Sequence, residues 1–218
     1  MAIQTVDRAS ELTTNKVLRD TYRLLSLTLL FSAFTATVSY FLQLPHGVSL
    51  ICSLAAMGLL FFVLPKAAQS ANGIWIVFAV TGLLGVGLGP TLNHYLATSN
   101  GTTMVATALG GTGVIFMGLS GYALVSKKDF SFMGGFLMAG FIVVLLAMIA
   151  NIFMQMPALQ IVLSAAIILL MSGFILFDTS RIINGGETNY IMATVSLFLS
   201  IYNIFQSLLL LLGIAGDD

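Results

Sequence analysis

The chain has 218 residues, of which 58% are hydrophobic and 7% are charged, and its eight basic side chains balance its eight acidic ones. A soluble domain carries about 25% charged residues because water must wet its surface, so this composition excludes a water-soluble globule and places most of the surface in lipid. Zero net charge, with no basic patch after residue 23, argues against nucleic acid as a partner.

The N-terminal segment, residues 1–21, is polar and mixed in charge. It is too poor in apolar residues to pack on its own, so we expect a flexible cytoplasmic tail. The first apolar run begins only at Tyr22 and is long enough to cross a hydrocarbon core of about 30 Å. This order of polar and apolar segments predicts a retained membrane helix rather than a cleavable signal peptide.

Seven apolar runs follow one another, separated by proline, glycine or charged residues. In lipid, only helices and closed barrels satisfy every backbone amide, and these runs lack the alternation of barrel strands. The sequence therefore predicts an all-α polytopic membrane protein, with a seven-helix domain over residues 22–214 and a short non-cytoplasmic tail at 215–218. The predicted spans are residues 22–42, 48–64, 74–91, 104–125, 133–153, 159–177 and 190–214.

The basic residues orient this topology. All eight precede or open the first span or lie in the loops after the second, fourth and sixth spans, as Lys66 and Arg181 do. Loops rich in Lys and Arg stay in the cytoplasm. We therefore predict a cytoplasmic N-terminus and a C-terminus on the opposite face of the membrane.

Glycines concentrate in the third and fourth spans. Small residues let helix backbones approach closely, so we expect both sets to pack inside the bundle, with a backbone-lined ion path as the alternative. They are Gly82, Gly85, Gly87 and Gly89 in the third span and Gly110, Gly111, Gly113, Gly118 and Gly121 in the fourth.

The sequence contains no complete catalytic motif. The GLSG segment at residues 118–121 matches the intramembrane rhomboid serine proteases, but a serine nucleophile needs a base within reach. The only histidines, His46 and His94, lie in loops on the side far from Ser120. Two histidines and the single Cys52 also make no zinc site or disulfide. We therefore expect no enzymatic activity, no cofactor and no metal centre.

One acidic residue, Asp178, stands at the predicted end of the sixth span. An acidic residue near a membrane helix end carries an insertion cost. It can be offset by an ion pair with Arg181, which lies three residues on and on the same helix face. The functional alternative is a titratable gate whose pKa is raised by partial desolvation.

The seventh span carries a polar stripe on one face, formed by Ser196, Ser200, Asn203 and Ser207. A polar stripe should not face lipid, so this helix is expected inside the bundle, with Asn151 of the fifth span as a partner. Hydrogen bonds between helices and a water path are the two roles that the stripe allows.

Several segments, taken in order, resemble the Bax inhibitor-1 (TMBIM) family, and within it the bacterial YccA branch. The similarity extends over essentially the whole chain. The segments are KVLR at 16–19, LSLTL at 25–29, GVGLGP at 85–90, KKDFSF at 127–132, NIF at 151–153, FDTS at 177–180, GGETNY at 185–190, NIF at 203–205 and SLL at 207–209.

The resemblance implies a fold in which six helices surround a central seventh helix. It also implies a function for the wider family, a pH-sensitive calcium or proton-coupled leak with two aspartates on helices 6 and 7 and a basic latch. Asp178 matches the first aspartate, but Ser200 stands at the second position, which removes the like-charge coupling and one calcium ligand. Lys66 or Arg181 would be the latch.

The YccA branch implies another function, modulation of the membrane-bound ATP-dependent protease FtsH and its associated complex in the bacterial inner membrane. Members of this branch are also FtsH substrates, and the polar segment at residues 1–21 is a handle that such a protease could grip, or else an ordinary disordered terminus. Modulation of FtsH is therefore the expected function, and the leak is its alternative. A purely structural polar seam is the third hypothesis.

Overall fold

The computed structural model describes residues 2–70 and 72–216, with side chains for residues 13–70 and 72–215. All regular structure in these ranges is helical, and seven helices are long and apolar enough to cross a membrane, which confirms the predicted fold class. The helices are α1 (Ala2–Phe41), α2 (Gly47–Ala67), α3 (Asn72–Leu96), α4 (Gly101–Ser126), α5 (Gly134–Met154), α6 (Pro157–Ile183) and α7 (Tyr190–Gly216).

Helix α1 begins at Ala2, well before the predicted first span. No proline or glycine precedes Pro45 in the sequence, so nothing in this segment breaks a helix that extends outward from the membrane. Residues 2–21, for which we expected a flexible cytoplasmic tail, are therefore helical in the structure. Met1 lies outside the described residues, as do 217–218 of the predicted C-terminal tail.

Helix α3 continues through Pro90 and ends at Leu96, five residues after the end of the predicted span. Proline lacks an N–H, so the carbonyl of Val86 loses its donor within the helix. The hydroxyl of Ser39 donates to that carbonyl at 2.7 Å, and Ser49 donates to the next one, Gly87, at 2.6 Å. Hydroxyl groups from α1 and α2 thus complete the backbone of α3, which is how a membrane helix tolerates an internal proline.

Helix α6 also exceeds its prediction. It runs to Ile183 rather than residue 177, because no proline or glycine follows until Gly185, which adopts φ 74°. Asp178, Thr179 and Ser180 therefore lie inside the helix and are buried.

Helix α7 begins at Tyr190, as predicted, because Asn189 caps it. The Asn189 side-chain oxygen accepts the N–H groups of Ile191 and Met192 at 2.9 and 3.2 Å, which satisfies two of the otherwise unpaired amides of the first turn. Its side-chain nitrogen donates to the carbonyl of Ala68 at 2.9 Å, which fixes the start of α7 to the α2–α3 loop.

The chain divides into two compact units. The N-terminal unit comprises residues 1–101 and 188–198, and so contains α1, α2, α3 and the first turns of α7. The C-terminal unit comprises residues 102–187 and 199–218, and so contains α4, α5, α6 and the rest of α7. Helix α7 therefore contributes residues to both units.

In the N-terminal unit, the four glycines named for the third span pack closely on their neighbours, as predicted, Gly87 on α2 and the other three on α1. A Cβ on Gly85 would collide with the Thr35 hydroxyl and the Ser32 carbonyl oxygen, and one on Gly89 would collide with Ser39. The short distance between the backbones of α1 and α3 lets the hydroxyls of α1 reach the carbonyls of α3.

In the C-terminal unit, the same prediction for α4 is wrong. A Cβ added to any of four glycines would meet no described atom within 4 Å, whereas one on Gly111 would meet Leu208 at 3.3 Å. Small residues permit a close approach but do not require one. The four open positions are Gly110, Gly113, Gly118 and Gly121.

The exposed side chains of the spans are those that lipid accepts. Within α5, Leu137 is the one buried residue, whereas Phe136 and Phe153 are 76% and 82% exposed. In α6, Leu169 is 75% exposed. Exposure of large apolar groups on this scale is stable in hydrocarbon and would be unfavourable in water.

The difference between the two sets of glycines gives a matched test. We expect Gly85→Ala to lower the free energy of unfolding by about 1–2 kcal/mol, because overpacking exceeds the gain in helix propensity. Gly110→Ala should leave stability unchanged or raise it by up to about 1 kcal/mol. Unfolding in mixed micelles measures both, and an equal response of the two variants would contradict the close α1–α3 contact.

Candidate functional site

The candidate site is built on the C-terminal end of α6. Asp178 is 9% exposed there, and the next two side chains, Thr179 and Ser180, are fully buried. Burying three consecutive polar side chains at membrane depth is costly unless each finds partners, so the contacts of this segment indicate what it does.

Ser180 holds the α4–α5 loop. Its hydroxyl accepts the N–H of Phe130 at 2.9 Å and donates to the carbonyl of Lys128 at 3.1 Å. The side chain of Asn184 donates to the Ser180 carbonyl and hydroxyl oxygens at 3.0 and 3.2 Å. One buried hydroxyl therefore satisfies two loop backbone groups and is itself held by the next turn of α6.

Thr179 contacts α4. Its hydroxyl lies 3.4 Å from the hydroxyl of Ser120, the serine of the GLSG segment, and both side chains are buried. This hydrogen bond between helices gives Ser120 a packing role.

Arg181 lies in the last turn of α6 and contacts the α6–α7 loop. Its guanidinium donates to the Gly186 carbonyl at 3.0 Å, lies 3.7 Å from a carboxylate oxygen of Glu187, and sits 5.4 Å from the centre of the Phe177 ring. These contacts close the loop onto the end of α6 through charge and cation–π attraction. The ion pair between Arg181 and Asp178 stays a prediction.

The other latch candidate, Lys66, lies in the last turn of α2, within the N-terminal unit, and is exposed.

The α4–α5 loop is stabilised by local hydrogen bonds. Asp129 accepts the N–H of Ser131 at 2.8 Å, and this residue opens a short 3₁₀ turn, Ser131–Met133. Hydrogen bonds from the side chain and backbone of Ser131 favour the charged form and hold the pKa of Asp129 below its ordinary value of 3.8. The loop therefore keeps a negative charge beside Lys127 and Lys128.

The polar stripe of α7 is divided between the units. Ser196 falls in the N-terminal unit, whereas Ser200, Asn203 and Ser207 fall in the C-terminal unit. Ser200 and Ser207 are buried. Asn203 donates to the carbonyl of Leu199 at 2.8 Å, one turn earlier in its own helix.

Asn203 and Ser207 line a cavity of about 460 Å³ together with Asn151. Three helices of the C-terminal unit form its wall. On α6 and on α7, four residues follow the i, i+3, i+4 and i+7 spacing of one helix face, and α5 adds three residues. Residue 155, directly after α5, and residue 157, at the start of α6, complete it. The wall residues are Met148, Asn151 and Ile152 on α5, Gln155 after it, Pro157, Gln160, Leu163, Ser164 and Ile167 on α6, and Asn203, Gln206, Ser207 and Leu210 on α7.

Several of these residues were not predicted from the sequence. Gln155, Gln160, Ser164 and Gln206 are polar residues in or beside apolar spans, and each of the first three lies four residues from another polar residue. This repeat of polar residues could have identified them from the sequence. Thr179 and Ser180 carried no such periodic signal, because their partners lie in a distant span and a loop.

In the described residues, no group of three or more His, Cys, Asp or Glu side chains could hold a metal ion. The cavity wall itself has no ionisable side chain.

Comparison with known proteins places these features in context. Residues 14–217 match a family described as inhibitor of apoptosis-promoting Bax1. The chain is 57% identical over 212 residues to the modulator of FtsH protease YccA of Escherichia coli K12, covering 97% of this chain and 96% of that protein. An E. coli O6:H1 relative with the same identity is named inner membrane protein YccA. A Vibrio cholerae membrane protein is 51% identical, with 95% and 93% covered. None of these names denotes an enzyme.

The Ser180 contacts give a prediction. Ser180→Ala should leave the Phe130 N–H and the Lys128 carbonyl without their partner, lower the free energy of unfolding by about 2 kcal/mol, and speed hydrogen exchange of the Phe130 amide. Ser70→Ala is the control, because Ser70 is exposed and bonds only within its own turn. Exchange at Phe130 that matches the parent protein would show that Ser180 does not hold this loop.

Proposed function

Because this chain belongs to the Bax inhibitor-1 family, we propose that it modulates the membrane-bound protease FtsH in the bacterial inner membrane and thereby bears on membrane-protein quality control. The observation that carries this proposal is the 57% identity, over nearly the whole of both chains, with a protein named as a modulator of FtsH. The basic loops support an orientation with a cytoplasmic N-terminus and a periplasmic C-terminus.

The N-terminal extension of α1 is the segment we assign to contact with the protease. In this orientation it projects into the cytoplasm as a continuation of the first membrane helix. A polar terminal segment is accessible to a protease that takes hold of a free end and pulls. The same contact would make the chain both a modulator and a substrate.

The packing of α1 against α3 then determines how strongly the chain resists extraction from the membrane. A protease that pulls from the N-terminus must first separate α1 from α3, and this interface is held by the glycine contacts and by the hydroxyls of Thr35 and Ser39 on α3 carbonyls. In lipid each carbonyl that loses its donor has no water to replace it. A chain that is gripped easily but extracted slowly would occupy the protease.

The leak is the second candidate function, and the burial of Asp178 is the observation that favours it. An aspartate that is 9% exposed at the end of a membrane helix has the burial expected of a titratable gate. The serine at position 200 weakens this function, because one carboxylate fewer is available to bind calcium or share a proton.

The protease proposal predicts a change in turnover. Deleting residues 2–12 should lengthen the FtsH-dependent half-life of the chain severalfold, because the handle is removed, while Gly85→Ala in the full chain should shorten it by easing extraction. Pulse-chase labelling in cells with and without active FtsH measures both. Deletion of residues 217–218 serves as the control, and an unchanged half-life without residues 2–12 would remove the proposed role of the tail.

The leak candidate predicts a change in flux. If Asp178 gates an ion path, Asp178→Asn should alter calcium flux in proteoliposomes and abolish its dependence on pH, because an amide side chain does not titrate. Ser200→Asp should strengthen the pH dependence. Absence of flux in the parent protein and in both variants would exclude this function.

A further inference from the structure

The cavity between α5, α6 and α7 lies beside the α5–α6 turn, at one end of these membrane helices, and has an unusual lining. Seven of its thirteen residues are polar, and none carries a charge or an aromatic ring. Five of the seven are carboxamides, at positions 151, 155, 160, 203 and 206. Each carboxamide offers both a carbonyl acceptor and an NH₂ donor.

Part of this hydrogen-bonding capacity is already used. The Asn151 oxygen accepts the N–H of Met156 at 3.1 Å, and the Gln206 nitrogen donates to the Tyr202 hydroxyl at 3.0 Å. The Asn151 NH₂ group and the Gln206 oxygen have no such bond among the described residues. The wall therefore presents donors and acceptors side by side, among apolar groups such as Ile152 and Ile167.

The donors and acceptors of the cavity wall favour one class of ligand over the others. An anion such as a phosphate would need Lys or Arg, and a metal cation would need carboxylates. A quinone or an ester-linked lipid mainly offers acceptors, so the carboxamide oxygens would stay unpaired at a cost. Peptide groups fit, since each has one donor and one acceptor.

An intact helix is excluded by its chemistry, because its peptide groups already pair with one another and have none to offer the carboxamides. A single extended or irregular chain keeps its peptide groups available for the wall.

We infer that this cavity binds an unwound segment of another membrane polypeptide through its peptide groups. Unpaired peptide groups are strongly disfavoured in lipid, and a misassembled membrane helix with a break exposes them. The carboxamides would pair with those groups, and the apolar wall would cover the flanking side chains. The inference rests on the proposed role in membrane-protein quality control, for which it names the ligand class.

The test uses the full-length protein in phosphatidylcholine nanodiscs with a synthetic transmembrane peptide of leucine and alanine. One peptide carries a central Gly-Pro break and its match is uninterrupted, and both contain photo-leucine beside the centre. After irradiation, mass spectrometry locates the crosslinks. We expect the interrupted peptide to attach to cavity residues such as Ile167 and not to the lipid-facing Leu169. The uninterrupted peptide should give about tenfold less product at the cavity.

The double variant Gln160→Leu with Gln206→Leu should reduce the cavity crosslink about tenfold, whereas Gln69→Leu, at an exposed position in the α2–α3 loop, should not. Equal crosslinking of the two peptides in the parent protein overturns the inference without recourse to any variant. Displacement of the interrupted peptide by dioleoylglycerol also overturns it, since the cavity would then be a neutral-lipid site.

The outcome is independent of FtsH, which is absent from the nanodiscs. Loss of the crosslink with normal FtsH-dependent turnover would remove only this inference. A cavity crosslink without any effect on FtsH would remove the proposed function and leave the binding site in place.

Discussion

Lipid supplies no hydrogen-bond partners, and this constraint governs most of the polar contacts in the molecule. Every backbone carbonyl or amide that a helix leaves unpaired must find a partner within the protein. At α3 the partners are hydroxyls of α1 and α2, which meet the carbonyls of Gly82, Val86 and Gly87. The glycines of α3 allow that approach. The internal proline leaves a carbonyl of α3 unpaired, and the small residues of α3 let a hydroxyl of α1 come close enough to pair with it.

The same constraint explains the end of α6. Thr179, Ser180 and Arg181 each contact a different part of the C-terminal unit, namely α4, the α4–α5 loop and the α6–α7 loop. A segment that holds three neighbours is suited to keep a bundle in one arrangement. Much of the polar character that suggests a gate is therefore accounted for by structural contacts of these three residues.

The cavity departs from this pattern. Its carboxamides keep donors and acceptors that no described residue satisfies, although the surrounding spans are strongly apolar. A role in binding would give these donors and acceptors partners. The two proposals divide the molecule accordingly, with the N-terminal end of α1 directed towards a protease and the cavity of the C-terminal unit towards its clients.

The sequence alone determined the class of protein and the number of spans, because hydropathy over about twenty residues depends on composition and not on contacts. It also singled out Asp178, Asn203, Ser207 and Asn151, which stand out as polar groups in apolar runs. The tertiary structure decided which glycines pack, since those of α3 and α4 look alike in sequence but meet different surroundings. It also decided how α3 continues through Pro90 and what Ser180 holds. Each of these depends on partners more than thirty residues away, and sequence spacing within one helix carries no information about them.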